Sequence, residues 1–281
     1  MGTSFVDLTK LKETLGRIEN RQLQLLDSNK IQDNEFQVYS QFGEDGIIQF
    51  LLRHLPIQNK IFVEFGVENY MEANTRFLLV NDNWRGLVMD GNKKNIDYIH
   101  KDPISWRHDL TAVHAFITRE NINRLLSENG FIGDIGLLSI DVDGNDYWIW
   151  EGLTVVNPAI VIIEYNHRFG QDKAMTVPYD ANFQRTNAHY SNIYYGASLK
   201  ALYLLADQKG YAFVGCNQAG NNAFFVKKDV KPVRIKTLSI EEGFVTGRFR
   251  ESRDESGSLI FLNPKQEKEI LDTLPFVDVT Q

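Results

Sequence analysis

The stretch from Lys60 to Asn92, KIFVEFGVENYMEANTRFLLVNDNWRGLVMDGN, constrains this chain more than any other. Ile61, Phe62 and Val63 form an apolar run that stops on Glu64-Phe65-Gly66. A helical segment follows, and a second apolar run from Gly86 to Met89 ends on Asp90. Strand, glycine turn, helix, strand and acidic residue make half of an open α/β nucleotide-binding sheet, which receives ligand at the carboxyl ends of its strands. A dinucleotide fingerprint needs glycines at G-x-G-x-x-G to bring backbone against pyrophosphate. Here the turn reads Gly66-Val67-Glu68-Asn69-Tyr70-Met71, with glycine at the first place only. Glu68 opposes a phosphate and suits a cation. The ligand these residues point to is S-adenosylmethionine (AdoMet), with a ribose for Asp90, no phosphate and a positive sulfonium.

The other regular segments extend that half-sheet. Ser40 with Glu44 and Asp45 starts a helix that Pro56 ends, and a helix over 71–81 sets Phe77, Leu78 and Val80 against the sheet. A short helix is expected over 92–101, a strand from Ile104 to Leu110 ending at Asp109, and a helix from Thr111 to Asn129. Ile135 to Ile140 is apolar but for Ser139, as a strand buried on both faces should be, and ends on Asp141-Val142-Asp143-Gly144. After a short helix over 146–152, Ala159 to Ile163 ends on Glu164-Tyr165-Asn166-His167. Residues 168–195 lose periodicity, and loops of that length are usually functional. A helix over 197–209 leads into strands 211–215 and 223–226, whose tight link implies an antiparallel hairpin. The expected fold is α/β: a Rossmann-like class I methyltransferase fold, its mostly parallel seven-stranded sheet closed by that hairpin. A plain dinucleotide domain has no such hairpin.

Residues 1–36 read as an N-terminal helical extension, 37–230 as the methyltransferase domain and 231–281 as a C-terminal extension packing on it. In the first, Leu8, Leu11, Leu15, Ile18, Gln22 and Leu25 alternate spacings of three and four. Such a seam either lies on its own domain or joins copies into a homo-oligomer. A formal charge of -7 without a dense basic run argues against nucleic acid as a partner. One cysteine, Cys216, allows no internal disulfide and no thiolate metal site. With no apolar run near the ~20 residues of a membrane span and no signal-peptide profile, a soluble, cytoplasmic protein is expected.

The strand ends carry the candidate chemistry. Asp90 should accept both ribose hydroxyls, and Asp109 the adenine amine. Asp141, Asp143 and Asp146 repel one another unless a cation is near, although helix capping accounts for one or two of them. His167, with an ordinary pKa of about 6.5, is the expected general base for an alcohol, with Asp141 orienting it or the substrate. Asp141, Asp143 and His167 make a divalent metal conceivable, but no ligand spacing supports one. Tyr165, Asn166, Tyr179 and Tyr195 offer stacking faces and amides suited to a sugar, and Asp143 joins them on the substrate side. Arg168, Arg185, Arg248, Arg250 and Arg253 could hold a phosphate or nucleotide handle.

Several motifs together resemble FkbM-type AdoMet-dependent methyltransferases over roughly residues 38–262. They are SQFGEDG (40–46), FVEFGV (62–67), Asn74-Thr75, WRGLVMDGN (84–92), LLSIDVDGNDYWIWEGL (137–153) and IIEYNHRFG (162–170). VPYD (177–180), YYGASLKAL (194–202), GYAFVG (210–215) and NNAFFVKKD (221–229) continue it. The resemblance implies a Rossmann-like methyltransferase, AdoMet near Glu64, Gly66, Asp90 and Asp109, and methyl transfer to oxygen on sugars, other glycan precursors such as those of capsular polysaccharide, or natural-product precursors. It implies that Ser40 and Gln41 reach the methionine end. Asn74, Thr75 and Asn92, within matching motifs, join the cofactor set with Glu68, and Asn221 joins the substrate set. Glu68-Asn69 departs from the more glycine-rich family turn. The expected activity is O-methylation of a carbohydrate or nucleotide-linked sugar. The alternatives are a nicotinamide-dependent oxidoreductase and a non-catalytic Rossmann-like binding or assembly protein.

Overall fold

The computed structural model describes residues 8–280. Strands β1 (Ile61–Phe65), β2 (Arg85–Asp90), β3 (Leu110–His114), β4 (Gly133–Ile140), β5 (Val156–Glu164), β6 (Tyr211–Cys216) and β7 (Asn222–Lys227) form one seven-stranded sheet in the order 3-2-1-4-5-7-6. The first five run parallel, and β7 lies antiparallel between β5 and β6. Successive side chains of the central strands enter opposite cores: Val63, Phe65, Leu138 and Ile140 one, Phe62, Leu137 and Ile162 the other. Helices on both sides require that pattern, which is why the middle residues of these strands are mostly apolar. The sheet order and late hairpin are those of the Rossmann-like class I methyltransferase fold.

The third strand lies later than its apolar spacing suggested. Ile104–Arg107 is a single helical turn, the strand is Leu110–His114, and the helix after it is confined to Ile122–Glu128. As an edge strand only partly buried, β3 has no continuous apolar run, and Val113, Phe116 and Ile117 mimic helical spacing. Asp109 therefore precedes β3, at the sheet's amino edge. Its carbonyl accepts from Gly86 N–H and its exposed carboxylate lies 3.9 Å from Arg85. The cofactor sites of such sheets are at the other edge, so Asp109 cannot meet adenine.

Helix α1 (Leu8–Leu23) rests on the domain through Gly16, where a Cβ would come within 2.2 Å of Val38 Cγ2. Leu8, Leu11, Leu15, Ile18 and Leu25 are 44–86% exposed, so the apolar seam is not the face that packs on its own domain. Residues 1–7 of the extension lie outside the described residues. Among the described residues, no helix is long and apolar enough to cross a membrane.

Helix α2 (Glu44–His54) is preceded by a loop that one carboxylate shapes. Oδ2 of the buried Asp45 accepts from the N–H groups of Val38, Tyr39 and Ser40 at 2.7, 2.7 and 2.8 Å and from the Ser40 hydroxyl at 2.9 Å. Helix α3 (Arg76–Asp82) begins later than expected, because Glu68 and Tyr70 take positive φ in a folded turn. Its Phe77 packs edge-on to Phe36 at 5.8 Å and on Val38, not on the sheet, whereas Leu78 does reach the sheet core. Asp45→Ala would orphan three backbone donors at about 1–3 kcal/mol each. Thermal or urea denaturation should show a loss of several kcal/mol, with secondary structure of the surviving native state unchanged.

Candidate active site

A cavity of about 420 Å³ opens at the carboxyl ends of β1, β2, β4 and β5, where the strand order reverses. Gly66, at φ +71°, lies so close to β4 that a Cβ would stand 1.6 Å from the Asp141 carbonyl oxygen. The glycine is required by this backbone contact as well as by its left-handed conformation. The chain then folds back around Glu64, whose Oε1 accepts from Asn74 N–H at 2.9 Å. Its Oε2 accepts from the N–H and hydroxyl of Thr75. Burial pushes the Glu64 carboxyl up to about 7, against the pull of these donors.

Asp90 is held as an acceptor. Its Oδ2 accepts from Glu68 N–H at 2.8 Å, and its Oδ1 from Asn92 N–H at 2.7 Å and Asn95 Nδ2 at 3.1 Å. A carboxylate offers about four acceptor positions. One remains, on Oδ2, so Asp90 can take one ribose hydroxyl in this arrangement where two were expected. Gln41, Glu68 and Asn74 line the cavity with it. Ser40, Thr75 and Asn92 do not: Ser40 and Thr75 are buried on Asp45 and Glu64, and the Asn92 side chain caps the helix Lys93–Lys101.

Of the acidic residues after β4, Asp146 is structural: its carboxylate accepts from Val142 N–H at 2.8 Å and Gly144 N–H at 2.9 Å. Asp141, Asp143 and Glu164 face the cavity instead. Burial first, and then repulsion from Asp143 and other neighbouring acids, holds Asp141 well above the usual carboxylate range. Glu164 is raised by burial and by Asp141 in turn. Arg185 opposes both shifts. It pairs with Asp143 at 2.7 Å and lies 3.9 Å from the centroid of the Tyr195 ring.

His167 reaches the cavity wall, but the C-terminal segment roofs it. A Cβ on Gly247 would be 2.1 Å from its Cδ2 and 2.5 Å from its Nε2, which is buried without a hydrogen-bond partner among the described residues. Burial and the neighbouring Arg168 lower its pKa to about 4. So weak and covered an imidazole does not suit a general base at neutral pH.

The expected substrate residues divide. Tyr165, Tyr195 and Asn221 line the cavity. Asn166 is wholly buried, its amide donating to the Ile193 and Tyr195 carbonyls. Tyr179 lies elsewhere, bonded to Glu120 and to Arg119 N–H. Arg168, its side chain 1% exposed, contributes to the wall but holds Glu267 at 2.8 Å and the Phe249 and Glu251 carbonyls. It fastens the C-terminal extension and is not available as a phosphate handle. Arg250 and Arg253 donate to carbonyls of that extension, and Arg248 N–H to the Ala219 carbonyl.

Phe42, Phe116, Glu164 and Phe249 also line the cavity and were not among the expected site residues. Glu164 ends a buried strand as Asp90 does, and the same rule could have found it. Phe249 gives no such signal, since only tertiary packing brings it to 6.4 Å from Phe42, ring to ring.

No family model and no curated protein matches the sequence. Among solved structures, the chain is similar to the N-terminal domain of EvdMO1 with SAH bound, at 9% identity over 80% of this chain and 98% of that one, TM-score 0.42. It is also similar to a putative caffeoyl-CoA O-methyltransferase from Staphylococcus aureus, at 14% identity over 77% and 98%, TM-score 0.44. The O-methyltransferase from Bacillus cereus in complex with SAH gives 12% identity over 79% and 91%, TM-score 0.42.

The depressed His167 pKa fixes a sign. The unfolded chain takes up this proton near pH 6.5 and the folded chain only near 4, so His167 contributes stability above 6.5 that is lost as pH falls toward 4. Across that window the thermal midpoint of the wild type should fall more steeply than that of His167→Gln. Parallel curves would show that the ring titrates normally.

Proposed function

We propose that this chain is an AdoMet-dependent O-methyltransferase of the FkbM type, acting on a sugar hydroxyl of a carbohydrate or nucleotide-linked sugar. The observation that carries the reading is a class I methyltransferase sheet whose switch-point cavity is lined by carboxylates where a dinucleotide enzyme needs phosphate donors. The residues present fit AdoMet on the same ground. Glu68 N–H is engaged by Asp90 and cannot cradle a pyrophosphate, while Asp90 retains an acceptor position. A cationic ligand suits this wall, because it would favour the ionised form of Glu64, Asp141 and Glu164, whose carboxyls burial raises.

In this reading Asp90 holds the ribose, Phe116 and Ile117 pack the base, and Gln41 and Asn74 face the amino-acid end. Bound AdoMet supplies an electrophilic methyl group. The acceptor lies toward Asp143, Tyr165, Tyr195 and Asn221, where the Tyr195 ring and the guanidinium over it are suited to ring packing and hydrogen bonding with a sugar. Asp141 or Glu164 takes the hydroxyl proton, since burial raises the basicity of both carboxylates. Positioning supplies most of the remaining rate. The outward seam of α1 supports a homo-oligomer built through that helix.

Calorimetry with AdoMet and NAD+ tests the reading. AdoMet should bind and NAD+ should not, and Asp90→Ala should weaken AdoMet by about tenfold or more, the worth of one hydrogen bond to a charged group. NAD+ binding in place of AdoMet would overturn it.

A further inference from the structure

Helix α1 is fastened to its own domain along one face and leaves the opposite face bare. Gly16 lies against Val38, and the Glu13 carboxylate accepts from the Tyr39 hydroxyl at 2.6 Å. Asn20 donates to Gln49 at 3.0 Å and accepts from Arg53 at 2.7 Å. These contacts set the roll of the helix. At about 100° per residue, Ile18 stands about 200° round the axis from Gly16, so the seam of Leu8, Leu11, Leu15 and Ile18 points away from the domain. Each of the four is at least 44% exposed. A row of large apolar side chains on a helix held this firmly marks a surface that another chain covers.

The flanks of the seam indicate which chain. With Leu8 and Leu15 at heptad position a and Leu11 and Ile18 at d, Lys12 and Glu19 both fall at e, and Thr14 and Arg21 at g. Among the described residues Lys12 has the face of the Tyr39 ring, 5.4 Å from its centroid, and no ion pair; Glu19 has no ion pair either. Antiparallel helices oppose e to e. Leu15 of one copy then meets Ile18 of the other, and Lys12 meets Glu19. A two-fold axis repeats each contact, so two pairs of unlike charge form. Parallel helices would instead oppose g to the following e, Thr14 to Glu19 and Arg21 to Leu26, and no opposite charges would meet.

We propose that α1 pairs antiparallel with α1 of a second copy of this chain, the two domains lying on opposite sides of the helix pair. This pairing gives the homo-oligomer advanced under the proposed function its sense; it rests on that part of the reading and does not depend on methyl transfer. The apolar seam supplies the association, and the exposed Lys12–Glu19 pairs select the antiparallel sense. Gln22 falls opposite Leu11 of the second copy near each end of the pair, where its amide stays hydrated. A helix of 16 residues makes a contact at the small end of specific interfaces, so the dimer dissociates on dilution.

Sedimentation equilibrium of the full-length protein over micromolar concentrations tests the pairing. Leu15→Asp, which sets two charges in the seam of a dimer, should weaken association at least about tenfold while circular dichroism stays native. Lys12→Glu should weaken it about fivefold, and adding Glu19→Lys to that variant should restore it. A monomer at every concentration, or a dimer indifferent to Leu15→Asp or to Lys12→Glu, overturns the pairing. Mild oxidation reads the sense directly. Leu11→Cys together with Gln22→Cys should give a covalent dimer and Leu11→Cys alone should not; a covalent dimer from Leu11→Cys alone shows parallel helices and also overturns it. AdoMet binding by calorimetry separates the two ideas. AdoMet bound by a monomeric chain removes the pairing alone, and a dimer that binds no AdoMet removes the methyltransferase reading alone.

Discussion

The backbone contact between Gly66 and Asp141 sets the geometry from which the cavity follows. Parallel pairing of β1 with β4 brings Phe65 opposite Ile140, so the next residues of both strands meet as the chains leave the sheet. Beyond that contact the two chains diverge, one into the turn before Arg76 and the other into the loop before Asp146. The cavity is the space between them. Side-chain bulk at position 66 would force the strand ends apart, and Asp90 and Asp141 would lose their common focus.

Carboxylates do two kinds of work around that contact. Asp45, Glu64, Asp90 and Asp146 accept backbone N–H groups and so fold the segments that make the walls. Among the described residues, Asp141, Asp143 and Glu164 accept no such backbone donors, and they turn to the cavity. The first set turns burial of charge into loop shape; the second leaves charge where a ligand can answer it. Glu44 extends the first kind of work across the sheet, accepting from Asn217 at 2.6 Å and Asn222 at 2.9 Å and so tying α2 to the closing hairpin.

This division explains what could be read from the sequence. Strands buried on both faces announce themselves as apolar runs, so β1, β2, β4 and β5 and their acidic tips were legible. The edge strand β3 carries no such run, and with its position went the placement of Asp109. Acidic and polar residues near a strand tip look alike in sequence, whereas their roles depend on donors supplied from afar. Ser40, Thr75 and Asn166 are matched by neighbouring loops and withdrawn from the ligand. His167 is altered by Gly247 and Arg168 by Glu267, and no local pattern forecasts either contact.

The roof formed by Gly247, Phe249 and Glu251 is pinned by Arg168 and meets Phe42 from the start of the domain. It therefore joins a segment before β1 to one after β7, over a sheet whose strands all lie between them. Scaffold and roof are thus separable along the chain: the sheet is complete by Lys227, and residues that cover the cavity come only after it.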